Sequence, residues 1–134
     1  MHSIESVQQV LGPLFPGLVG VRIVGLASER VVAELTVRPD LCTTGGVMHG
    51  GALMAFADTL GAVGTVLNLP QGKRTTTTDS SSKFIGAARV NTTVVGECVA
   101  LHRGRTTMVW QTTIKSAEGK LCAVVTQTQL VMDA

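Results

Sequence analysis

The stretch "GGVMHGGALMAFADTLGAVGTVLNLP", Gly45 to Pro70, decides the fold. Leu53, Phe56, Leu60, Val63 and Leu67 recur within it at helical spacing and predict a helix over roughly 50–68, with these side chains as the core stripe. The other positions are mostly apolar or small as well, so the helix lacks a wet face. A helix of that kind is a buried one, and a curved sheet is the obvious wrapping. Its length approaches the ~20 residues that a bilayer requires. Asp58 stands near the middle, however, where a charge costs ~2.5–3.5 kcal/mol in a membrane. Neither flank carries a strong Lys/Arg cluster. The expectation is a core helix and no membrane partner.

Working outward, residues 3–11 predict a short helix, with Ser3 as N-cap and Gly12-Pro13 as its stop. "GVRIVGLASERVVAELTVRP" (20–39) splits into two strands around Ala27 to Arg30. The second strand puts Ala33, Leu35 and Val37 on one face and Glu34, Thr36 and Arg38 on the other, the pattern of a strand buried on one side. After a loop at 70–74, four β-rich segments follow at 75–85, 92–103, 106–116 and 121–132. Gly104 and Gly119 supply hairpin turns between them. Strands with one segregated helix make an α+β fold with a largely antiparallel sheet. Residues 1–134 are read as one domain. A single sheet around a single helix leaves its other face to cover, which predicts a second subunit.

Composition narrows the function. A formal net charge of +2 with no clustered basic stripe argues against a nucleic-acid partner. Cys42, Cys98 and Cys122 are an odd set without metal-ligand spacing, which predicts small buried residues in a reducing compartment and no metal site. The N-terminus lacks a positive n-region and a sufficient apolar run, so the expected location is cytoplasmic.

The chemistry-bearing residues are His49-Gly50-Gly51 and Asp58. If the helix starts near Gly50, its first N–H groups lack intrahelical partners and carry partial positive charge. Glycine there lets a ligand approach the backbone, so the helix start can hold an oxyanion. Asp58 lies ~12 Å further down the helix, too far to share one carbonyl with Gly50 of the same chain. Between two antiparallel subunits, Asp58 of one can face the Gly50 N–H of the other, a geometry suited to acyl transfer. Plainer readings stand beside this one. His49 can be a capping histidine, the glycines a simple helix opening, and Asp58 a structural partner of a cation.

"GGVMHGGALMAFADTLG" (45–61), "TTTTDSSSKFIGAAR" (75–89) and "LHRGRTTMVWQTTIKSAEGKLCAVVTQTQLV" (101–131) together resemble the hotdog-fold acyl-CoA thioesterases. The likeness is greatest to the phenylacetate-degradation (PaaI-like) and 4-hydroxybenzoyl-CoA thioesterase branch and spans residues 15–132. It implies a central helix wrapped by an antiparallel sheet, dimers whose sheets join, often paired into tetramers, and active sites between subunits. It implies Asp58 as nucleophile or general base, the Gly50 N–H polarising the thioester carbonyl, and His49 orienting this region or binding the thioester. It implies a hydroxyl from the opposite subunit, for which Thr77 is favoured over Thr76. Gly51, Thr43, Lys83, Arg89, Arg103 and Arg105 are the further substrate-binding candidates, the basic ones for the CoA phosphates, with Lys73 behind them. Coenzyme A enters as part of the substrate, a small aryl- or medium-chain acyl-CoA, with no separate cofactor. One departure is Thr43, where the family usually carries Asn or Gln. The alternative reading is a non-hydrolytic acyl-CoA-binding or dehydratase-like protein of the same fold.

Overall fold

The computed structural model describes residues 2–134. Helix α1 (Ile4–Leu11) is capped by Ser3, whose side chain accepts the Ser6 N–H. Helix α2 (Phe15–Val19) leads into strands β1 (Arg22–Ala27) and β2 (Arg30–Thr36). A 3-10 turn at Pro39–Leu41 precedes a hairpin of two short strands, β3 (Cys42–Thr43) and β4 (Val47–Met48), whose tip holds Gly45 and Gly46 at positive φ. The long helix α3 (Gly50–Leu67) follows, then β5 (Lys73–Phe84), β6 (Thr93–Arg103), β7 (Thr107–Ser116) and β8 (Leu121–Asp133). The six longer strands form one antiparallel sheet in the order β1-β2-β6-β7-β8-β5, so β1 and β5 are its edges.

This is the expected α+β arrangement, with α3 packed against strands across the sheet. Leu53, Phe56, Leu60 and Val63 of the predicted stripe are buried, and they meet Val31, Leu35, Val94, Trp110, Ile114 and Val125 from the strands. Two glycines let the helix sink onto the sheet. A Cβ at Gly64 would lie 2.7 Å from the Trp110 ring, and one at Gly61 would lie 2.3 Å from the Gln127 amide. Trp110 then donates its indole N–H to Thr65 Oγ1 at 2.9 Å, so its one polar atom is satisfied in the core.

Two expectations need correction. The helix is not wrapped on all sides: half of its span is buried, while Met54 and Val66 remain 38% and 39% exposed. One sheet covers one face, and α1 and α2 cover only part of the other. The chain also forms α2, the 3-10 turn and the short hairpin in stretches to which the sequence reading assigned no element, and β5 begins at Lys73 inside the predicted 70–74 loop.

The cysteines are all unpaired. Burial pushes the Cys98 thiol up to about 11 and also raises that of Cys122. At pH 8 only about one Cys98 in a thousand is thiolate, the reactive form. Mass mapping after brief iodoacetamide treatment should therefore find Cys98 unmodified in the native protein and modified after unfolding. Ready labelling of native Cys98 would contradict this packing.

Candidate active site

The start of α3 is built by His49. It occupies the N-cap position with extended backbone (φ −62°, ψ 139°), and its Nδ1 accepts the Gly51 N–H at 2.8 Å. An Nδ1 used as acceptor leaves the neutral imidazole's proton on Nε2. The His49 carbonyl accepts from Ala52 and Leu53, while its own N–H donates to Leu41. The Gly50 N–H is left without a hydrogen-bond partner among the described residues. The Phe84 ring lies over Gly50, 3.1 Å from where a Cβ would stand. A cavity of about 270 Å³ opens beside this helix start, lined by Phe15, Val19, Leu41, Cys42, His49 and Gly51.

Asp58 lies more than two turns along the same helix, ~12 Å away by the rise per residue. It is half-buried in the wall of a second, larger cavity of about 420 Å³. That cavity's other lining is mainly apolar, with Val7, Val10 and Leu11 from α1 and Ala62, Val63 and Val66 from α3. Asp58 Oδ1 accepts from Thr77 Oγ1 at 2.7 Å. None of the ion pairs among the described residues involves Asp58, so the structural-partner reading finds no cation here. A carboxylate without a cation, set in an apolar wall, is more costly than a surface acid.

The strand pleat separates the two threonine candidates. Thr75 and Thr77 are half-buried on the helix side of β5, whereas Thr76 is exposed on the other face. The resemblance assigns the hydroxyl to the opposite subunit, but the structure brings Thr77 of the same chain to Asp58. Thr43 is exposed on the β3–β4 hairpin, and its side chain makes no hydrogen bond among the described residues.

The basic candidates fall into two groups at opposite ends of α3, ~27 Å apart by its length. Lys83 is exposed beside Phe84, and Arg89 is exposed where its backbone bridges Val47, both near the helix start. Arg103 is at the other end, reaching Ser28 Oγ at 3.2 Å and the C-cap residue Asn68 at 3.4 Å, and exposed Arg105 follows it in the β6–β7 turn. Lys73 is engaged with Asp133. One chain does not bring all of these to one ligand. The structure adds two residues that the sequence reading passed over, Gln127 and Gln129, both fully buried on β8 behind Thr77.

Comparison with known proteins bears on what this arrangement does. Residues 45–123 match the thioesterase superfamily. The chain is 28% identical over 113 residues to the proofreading thioesterase EntH of Cronobacter turicensis, covering 84% of this chain and 82% of that one. A crystal structure of a thioesterase from Haemophilus influenzae superposes with a TM-score of 0.93 at 26% identity, over 99% of this chain and 92% of that one. A thioesterase protein from Streptococcus pneumoniae, solved with coenzyme A, has the same fold at 21% identity, with a TM-score of 0.82 over 98% of each chain.

Proposed function

The chain belongs to the thioesterase superfamily and is a thioester hydrolase of the hotdog fold; from that premise we propose that it hydrolyses small aryl- or medium-chain acyl-CoA thioesters to free acid and CoA. The carrying observation is Asp58, an uncompensated carboxylate in the wall of an apolar cavity of about 420 Å³. The cavity accepts the acyl group and the carboxylate meets its carbonyl carbon. The fold's occurrence with coenzyme A in the Streptococcus pneumoniae protein supports the choice of carrier. Within the superfamily, the PaaI-like branch fits the His-Gly-Gly and acid spacing.

The chemistry follows from the two half-sites. As general base, Asp58 takes a proton from water while the water oxygen bonds to the thioester carbon. As nucleophile, it bonds to that carbon itself, and water later opens the resulting anhydride. Either way the carbonyl oxygen becomes an oxyanion that the unpartnered Gly50 N–H can stabilise. The C–S bond then breaks: in the general-base route the sulfur leaves with the proton that Asp58 took from water, and in the nucleophilic route thiolate leaves as the anhydride forms and takes its proton from solvent. Gly50 and Asp58 of one chain are too far apart to act on one carbonyl, so the working site joins Asp58 of one copy to Gly50 of another. The edge strand β5, Lys73–Phe84, is long enough to continue its sheet into a second copy. A dimer or a dimer of dimers is the smallest competent form. Splitting the basic residues between the two ends of α3 also makes sense in a shared cleft, where one end of each copy meets the CoA phosphates.

The test is a panel of acyl-CoAs of graded chain length and aromatic character, followed by free-thiol release. We expect turnover on at least one aryl or medium-chain member. Tight binding of every member with no thiol released would favour the non-hydrolytic reading. Dehydration of a β-hydroxyacyl-CoA without thiol release would favour the dehydratase-like one.

A further inference from the structure

Behind the Asp58–Thr77 contact lies a chain of buried side-chain amides with a fixed direction. It starts at a backbone carbonyl of α3. Gln127 Nε2 donates to the Ala57 carbonyl at 2.8 Å. Gln127 Oε1 accepts from Gln129 Nε2 at 2.5 Å, and the same Nε2 donates its other proton to Thr77 Oγ1 at 2.6 Å. Thr77 donates onward to Asp58 Oδ1 at 2.7 Å. Gln129 Oε1 lies 2.9 Å from Thr75 Oγ1, whose single proton it shares with the Leu130 carbonyl at 2.9 Å. Both glutamines are fully buried, which is costly unless every amide atom is bonded, and here each one is.

A carbonyl can only accept, and this decides the direction. Ala57 forces the nitrogen of Gln127 toward the helix and its oxygen toward Gln129. That in turn forces the nitrogen of Gln129 toward Gln127 and Thr77. The Thr77 oxygen is then already accepting, so its single proton is free for Asp58. If Gln129 were reversed, Thr77 would donate to the amide oxygen and present a lone pair to the carboxylate. Two features of the fold permit the relay. Thr77 and Gln129 are directly paired across β5 and β8, and Gly61 leaves room for the Gln127 amide, which a Cβ there would approach to 2.3 Å.

We propose that Gln129 is a positioning residue for thioester hydrolysis: it polarises Thr77 so that the hydroxyl holds Asp58 by Oδ1. Asp58 Oδ2 has no partner among the described residues and is the oxygen left for the substrate or water. Gln129 acts through Thr77, and Gln127 acts through Gln129 and through its bond to the Ala57 carbonyl, next to Asp58 on α3. This inference rests on the assignment of Asp58 as the reacting carboxylate.

The experiment compares kcat and KM of Gln129→Met, Gln127→Met, Thr77→Val, Thr77→Ser and the Thr77→Val/Gln129→Met pair, with melting curves for each and Asp58→Asn as reference. Methionine keeps the length of glutamine without its hydrogen bonds. Gln129→Met should lower kcat by about 10-fold with KM within about 2-fold, since misaiming affects the reacting step more than binding. Thr77→Ser should retain kcat within about 3-fold. The double variant should match Thr77→Val alone within about 2-fold, because two residues acting in series are not additive. Losses that multiply in the double variant, or a wild-type kcat in Thr77→Val or in folded Gln129→Met, would overturn the proposal. Should Gln129→Met fail to fold, Gln127→Met takes its place. Gln127 also holds the Ala57 carbonyl beside Asp58, so the relay is supported there when the Gln127→Met loss is not added to that of Thr77→Val in their double variant, and it is refuted by losses that multiply or by an unchanged kcat. Full activity in Asp58→Asn would remove the catalytic assignment along with the relay. A dead Asp58→Asn beside unaffected relay variants would remove only the relay.

Discussion

Asp58→Asn should lower kcat for the preferred acyl-CoA by at least about 100-fold, the lower end of what a positioned base contributes. The substitution changes little else. Asparagine has the same shape, and its carbonyl oxygen can still accept from Thr77 Oγ1 as Asp58 Oδ1 does. No ion pair is lost, because Asp58 makes none among the described residues. The melting temperature should therefore change by no more than the equivalent of about 1 kcal/mol. What disappears is the negative charge, and with it the ability to take a proton from water or to attack carbon. Steady-state thiol release and a thermal melt on the same preparation check both halves. A variant within a few-fold of the parent rate would take Asp58 out of the reaction. Trapping would separate the remaining mechanisms: an anhydride formed by Asp58 can be intercepted by hydroxylamine in a single turnover, whereas a general base leaves nothing attached to the protein.

What the chain disclosed in advance, and what it withheld, follows from the range of each interaction. Helix α3 was legible because its apolar period is local, and His49 at its N-cap was legible because capping spans three residues. The inward face of β2 could be read from alternation alone. The helix's exposure was misread because Met54 and Val66 look like core residues by type, and only the placement of α1, α2 and the sheet shows which sides stay open. Helix α2 was hidden by its composition, Phe-Pro-Gly-Leu-Val, where Pro and Gly suggest a turn but Pro stands within the first turn of the helix. The glutamines of β8 did leave a signal. Ala123, Val125, Gln127 and Gln129 share one strand face, so a buried apolar row ends in two amides. Their partners were not legible, because Thr77 and Gln129 are paired across β5 and β8 at a separation of 52 positions and no local pattern encodes that pairing. The split of the basic residues between the ends of α3 was hidden for the same reason.

Gly50→Pro should cost about 10²–10³ in kcat relative to Gly50→Ala, the worth of one oxyanion donor. Position and backbone make this comparison clean. Gly50 is the first residue of α3, where proline is well accommodated and only a free N–H is removed. His49 before it is already extended at φ −62° and ψ 139°, the conformation that a following proline demands. Both substitutions bring a Cβ to the Phe84 ring, and Phe84 is 53% exposed and free to give way. They differ in the N–H and in the proline ring carbons Cγ and Cδ, which stand where the N–H pointed. Equal rates for the two would show that the Gly50 amide does not touch the reacting carbonyl. Mixing then asks which chains build the site. Asp58→Asn and Gly50→Pro chains, each inactive alone, are combined in equal amounts and allowed to reassort. In a two-fold symmetric dimer with shared sites, half of the dimers carry one of each, and every such dimer has one site with both lesions and one with neither. Activity should return to about a quarter of the parent value. If instead Asp58 and Gly50 act within one chain, every site keeps a lesion and nothing returns, and the shared cleft would have to be abandoned.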